Sequence, residues 1–288
     1  MSNNPASMPT METSRPCGWT DDDPELAGCA TDLGLERNEL TQLVACARAS
    51  GATRRALPGV LRQAASRLLR LRDNTAREPA VDALHADAAA ALARARAALQ
   101  PGPAFSLESA DRSLGEALAR CLEQPVAAPG VVASLAAAQA EAAALRQDHR
   151  RAAERYAGAA ATPGLSAAAQ WRMQHQRAAV LEERGRDYGD NTALTEAVDL
   201  YEQTVLPLAP QSERPDDWSA TQHCLGNALG ILGQRGRGVR LLERSVAAFE
   251  SALGARSRER CPVDWAATRR GLGNALGILA QRQGDHDT

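Results

Sequence analysis

Residues 215–235 read PDDWSATQHCLGNALGILGQR and residues 262–282 read PVDWAATRRGLGNALGILAQR. At an offset of 47, 15 of the 21 positions are identical, so the chain contains an internal repeat. A period of this size is characteristic of arrays of stacked supersecondary units. The register extends upstream, because Trp171, Trp218 and Trp265 are each 47 residues apart and a more divergent copy therefore begins at Trp171. Between the copies lies a second pattern. Ala197-Val-Asp-Leu-Tyr201 corresponds, one residue out of step, to Ser245-Val-Ala-Ala-Phe249, and Ala152-Ala-Glu-Arg-Tyr156 is an earlier relative. A small residue followed four later by an aromatic, and three beyond that by Ala159, Thr204 or Ala252, marks one face of a helix.

Composition agrees with helices. Aromatic residues make up only 3% of the chain, while Ala and Leu dominate. β-branched and aromatic runs are missing, so strands are not expected and the fold class is all-α. No lysine occurs, which excludes a Schiff-base lysine and a lysine-bearing phosphate loop. The 33 basic and 35 acidic residues leave a net charge of −2, without a global attraction to nucleic acid or to an anionic membrane. Cys17, Cys29, Cys46, Cys121, Cys224 and Cys261 form no C-x-x-C pair and no finger-like spacing with histidine, so neither a zinc site nor a disulfide framework is expected. No secretory leader is legible and no stretch reaches the ~18 apolar residues of a membrane span. The expectation is a reduced, cytoplasmic protein without cofactor or metal.

Residues 1–31 are rich in turn formers and carry the acidic run Asp21 to Asp23, which predicts a disordered tail. Residues 32–130 form an N-terminal helical region. Leu40, Leu43, Val44 and Ala47 recur at helical spacing before a stop at Gly51, and Leu57, Val60, Leu61, Ala64, Leu68 and Leu71 follow. A third helix with Pro79 in its first turn ends at Pro101-Gly102-Pro103, and a fourth spans 106–122. The arginines at 54, 55, 62, 67, 70 and 72 lack interleaved aromatics, so they read as a solvated helix face rather than as a nucleic-acid patch. Residues 131–288 resolve into helix pairs: 133–146 with 149–161, 166–186 with 192–206, and 216–234 with 239–253, before an unpaired helix over 263–283. Prolines at 163, 207, 210, 215 and 262 fall between pairs, where proline is tolerated.

Leu-Gly followed by Ala-Leu in the first helix, with Ala/Ser-x3-Tyr/Phe-x2-Ala/Thr in the second, resembles the tetratricopeptide repeat. Asp148-x3-Ala152-x3-Tyr156-x2-Ala159 keeps the spacing of the 34-residue form. The later copies are similar to long-repeat bacterial members of the family and, more distantly, to kinesin light chain repeats. The resemblance implies an α-solenoid, a right-handed superhelix of antiparallel helix pairs, whose concave side is lined by first helices. It implies a non-enzymatic scaffold or adaptor that binds a protein or peptide ligand in that groove.

On this reading the groove stripe is His223, Asn227, Gly230 and Gln234 in one copy, Arg270, Asn274, Gly277 and Gln281 in the next, and Gln176, Val180, Glu183 and Asp187 in the divergent one. The resemblance gives Asn227 and Asn274 a ligand-holding role; an amide bonding between neighbouring helices is the other reading. The recurring glycines imply close approach of a second-helix aromatic, and Trp218 and Trp265 are expected to pack against the preceding pair. Histidines and cysteines form no nucleophile–base pair by spacing, so no enzymatic activity is expected. Because the last helix has no second helix after it, this end is expected to pack on the N-terminal helices, to form a homo-oligomer, or to mark a shortened array.

Overall fold

The computed structural model describes residues 31–53, 55–77, 84, 86–124, 127–236 and 239–284. The expected tail and Pro79 lie outside them, apart from residue 31. The described residues form no strand and pack as helices, neighbour against neighbour. In order these are α1 (Arg37–Ala49), α2 (Leu57–Arg77), α3 (Ala86–Leu99), α4 (Leu107–Leu122), α5 (Pro129–Leu145), α6 (His149–Ala160), α7 (Ala167–Tyr188), α8 (Asn191–Leu200), α9 (Pro215–Arg235), α10 (Arg240–Ala255) and α11 (Pro262–Gly284).

Local chemistry explains the helix ends. Ser106, Asp148, Ser166 and Asp190 accept the N–H three residues on at the starts of α4, α6, α7 and α8, and Pro129 and Pro215 open α5 and α9. At these positions side-chain oxygens satisfy donors that the first turn leaves unpaired, and proline has no donor to satisfy. Gly51 (φ +89°) follows α1 and Gly189 (φ +77°) ends α7, both in the left-handed conformation that glycine adopts without a Cβ penalty.

The apolar stripe of α2, from Leu57 through Leu61 and Leu68 to Leu71, is buried with residues of α1, α3 and α4. Helix α5 buries alanine and leucine on more than one side. It gives Leu135, Ala138, Ala142 and Leu145 to this N-terminal core and Ala140, Ala143 and Ala144 to a second one that runs through α6 to α10. The two regions on either side of residue 130 therefore share a helix.

After α8 the helix continues as a π turn over Tyr201–Val205. Tyr201 and Phe249 are 48 residues apart, whereas the tryptophans keep 47. The widened turn takes up the one extra residue, which is how such bulges arise within helices. The copies are also tied at corresponding points. The Tyr188 hydroxyl reaches Gln147 Oε1 (2.8 Å) at the end of α5. The Arg235 guanidinium donates to the Gly185 (2.9 Å) and Arg186 (3.1 Å) carbonyls at the end of α7. Arg282 donates to the Gly236 (2.8 Å) and Gln234 (3.0 Å) carbonyls at the end of α9. Residues 188, 235 and 282 are 47 apart; Tyr188 meets a side-chain amide, whereas Arg235 and Arg282 each reach the carbonyl end of the preceding first helix, where a cation is favourable.

Trp171 is buried and donates its indole N–H to Thr221 Oγ1 (3.2 Å). Trp218 and Trp265 are half-buried, and Arg258 and Arg269 flank the Trp265 ring at 5.8 and 5.7 Å.

Candidate functional site

The predicted stripe meets three different environments. In α7 it is covered. Helix α2 packs on α5, and Arg67 from it donates to Glu141 of α5 (2.6 Å) and Glu183 of α7 (2.5 Å). Glu183 is a stripe residue, Val180 is fully buried, and Arg186 reaches Gln63 of α2 at 2.6 Å. The Tyr156 hydroxyl also donates to Glu141, and His149 Nε2 stands 3.9 Å from Glu183. Burial pushes His149's pKa down, which leaves the neutral ring favoured beside Arg67.

This corrects the reading of the arginine run. Arg67 is only 3% exposed, and Arg72 pairs with the buried Glu39; Arg55, Arg62 and Arg70 are exposed. Their partners are the reason. A guanidinium with two carboxylates in reach can be buried, whereas an isolated one cannot.

In α9 the stripe is half-buried and turned to internal use. His223 Nε2 is 3.2 Å from Asn227 Nδ2, its Nδ1 is 3.0 Å from Thr268 Oγ1 of α11, and its ring meets Phe249 edge-on at 5.7 Å. Burial lowers the His223 pKa. Asn227 thus bonds to its own helix neighbour, and His223 bridges α9 to α11. Gln234 is exposed. In α11 the stripe is open: Arg270, Asn274, Gly277 and Gln281 are all exposed.

Gln176 has a different setting. It borders a cleft of about 600 Å³ between the C-terminal half of α2, the N-terminal half of α7, and α5. Tyr156, Trp171, Met173, Ala137 and Ala138 provide apolar surface; Arg70, Asn74, Arg172 and Gln176 provide polar groups. Arg70 and Arg172 are exposed and carry no acidic partner among the described residues. Glu141, also in the lining, is committed to Arg67 and Tyr156. His175 lies between the rings of Trp171 (4.9 Å) and Tyr201 (5.8 Å), with no hydrogen-bond partner at Nε2. Burial lowers its pKa to about 4, the charge of Asp217 opposing the shift, so the ring is neutral at pH 7.

Sequence reasoning found Gln176 but missed Arg70, Asn74 and Arg172. The signal available for α2 was its run of arginines, and their spacing alone does not say which arginine meets a carboxylate on another helix. Among the described residues, Cys46, Cys121, Cys224 and Cys261 are free thiols. No group of three or more His, Cys, Asp or Glu residues is placed to hold a metal ion there, and no described helix is long and apolar enough to cross a membrane. No family model, curated protein or solved structure matches the chain.

Proposed function

We propose that the chain is a non-enzymatic interaction scaffold of tetratricopeptide-like helix pairs, and that it holds a peptide segment of a partner protein in the cleft between α2 and α7. The observation that carries this reading is the lining itself. Apolar surface from Tyr156, Trp171 and Met173 lies beside Arg70 and Arg172, whose guanidinium groups have no acidic partner among the described residues, and two amides, Asn74 and Gln176. A concave site of this kind takes a ligand with apolar side chains and a few convergent polar groups. These arginines favour acidic residues next to them, because guanidinium binds carboxylate through paired donors. Nothing in the lining is poised for proton transfer at neutral pH: His175 stays neutral and Glu141 is held in two directions.

Selection of a random peptide library on the full chain tests the proposal. The expected result is enrichment of peptides with Asp or Glu beside apolar residues, whose binding is lost on Arg70→Glu/Arg172→Glu and kept on Asn274→Ala. Enrichment that survives the double substitution rejects the cleft as the binding site.

A further inference from the structure

Helix α11 repeats the sequence of α9 but has different neighbours. Its inner side is finished in the same way, with Thr268, Leu272 and Ala275 buried as Thr221, Leu225 and Ala228 are. The other side differs. In α9, Gly226, Leu229, Gly230 and Gly233 form a face that α10 closes. A Cβ on Gly226 would stand 2.9 Å from the Phe249 ring, and one on Gly233 would stand 2.8 Å from Leu242. The Ser245 hydroxyl donates to the Gly226 carbonyl at 2.7 Å. The matching face of α11 is Gly273, Leu276, Gly277 and Ala280. A Cβ at Gly273 or Gly277 would meet nothing within 4 Å, and Leu276 is 45% exposed. Mid-helix glycine costs about 1 kcal/mol relative to alanine, and at Gly273 and Gly277 no contact among the described residues offsets it, whereas Gly271 on the inner side packs against the Phe249 ring.

We infer that the outer face of α11 is a docking site for one amphipathic helix from another chain, carrying leucine, serine and phenylalanine in the spacing Leu-x2-Ser-x3-Phe. Helix α10 supplies the template, since Leu242, Ser245 and Phe249 fill the corresponding face of α9, which differs from that of α11 only in having Gly233 where α11 has Ala280. The incoming phenylalanine lies over Gly273, the serine donates to the Gly273 carbonyl, and the leucine meets Ala280. There the fit departs from the template: a Cβ at Gly233 would stand 2.8 Å from Leu242, so the leucine opposite Ala280 sits shifted outward from the place Leu242 takes on α9. The inference is independent of the cleft, which involves neither α9 nor α11.

The test uses the full chain and a synthetic peptide of residues 239–255, followed by fluorescence anisotropy. Saturable binding is expected, weakened at least about tenfold by Phe249→Ala in the peptide and equally by Gly273→Leu in the chain. Gly273→Leu enters open space, so the chain's own packing is retained, and circular dichroism verifies this. Absence of saturable binding, or binding indifferent to Gly273→Leu, overturns the inference. So does concentration-dependent dimerisation in sedimentation equilibrium that Gly273→Leu abolishes and the peptide does not compete with; that outcome assigns the face to a second copy.

Discussion

Leu229 and Leu276 occupy the same place in two nearly identical helices, yet Leu229 is 1% exposed and Leu276 is 45% exposed. The residue at this register in the divergent copy is Glu182, which is buried and accepts a hydrogen bond from the Tyr201 hydroxyl at 3.0 Å. One register position is thus a buried carboxyl, a buried leucine and an open leucine along the chain. The difference teaches that sequence identity within an array specifies a surface, while the neighbour determines what that surface does. The same glycines that bring α10 close to α9 leave a flat, uncovered strip on α11.

The comparison breaks most readily at the leucines themselves. Leu229→Ala is expected to lower stability by roughly 2–5 kcal/mol, as large-to-small changes in a packed core do, and Leu276→Ala by less than about 0.5 kcal/mol. Equal losses in urea unfolding would mean that the two faces are covered alike.

Glu182 sharpens it through pH. Burial raises this carboxyl from 4.5 to about 7, so the folded state holds a proton that the unfolded state has released between those values. Stability from this group is therefore fully present below about pH 4.5 and declines as pH rises towards 7. Glu182→Gln keeps the acceptor for Tyr201 and removes the titration. Relative to the parent chain, the variant should gain roughly 3 kcal/mol on going from pH 4.5 to pH 7. His175 works in the opposite sense: its lowered pKa makes stability fall as pH drops from 6.5 towards 4. The two trends offset one another in the parent and separate in the variant, which a pH series of denaturant midpoints detects.

A smaller effect of opposite sign is expected at the glycines. Gly226→Ala pushes a methyl group into the Phe249 ring and should cost about 1–3 kcal/mol. Gly273→Ala fills nothing and should stabilise by up to about 1 kcal/mol through helix propensity. The same sign at both sites would erase the distinction between the faces. Smallest is Arg282→Ala, which removes two hydrogen bonds to the end of α9 and should cost about 1 kcal/mol, seen as faster amide exchange in α11 before any global change.

Much of this architecture is legible without coordinates, because its determinants are local. Caps at Ser106, Asp148 and Ser166 and prolines at 129 and 215 mark helix starts, and the closeness expected of Gly226 is met by Phe249. The stripe itself was harder to interpret. His223 and Asn227 are polar residues on a helix face, and their bonds to one another and to Thr268, with Phe249 against the His223 ring, depend on contacts that spacing does not reveal. The placement of α2 was not legible at all. Its anchor, Arg67, finds Glu141 and Glu183 at separations of 74 and 116 residues, and no window of sequence holds all three. Arg70 and Asn74 belong to the wall that α2 adds to the cleft beside Trp171, which is why they escaped notice while Gln176 did not.

The π turn at Tyr201–Val205 acts as a phase correction. An added residue in an α-helix advances everything after it by about 1.5 Å and rotates it by about 100°. Within the helix that α8 begins, that error would turn the residues after Tyr201, the buried Val205 among them, away from the core. Absorbed within one widened turn, it goes no further, and the next copy starts on the beat. A chain built by copying itself can in this way vary in length inside one unit without losing time in the units that follow.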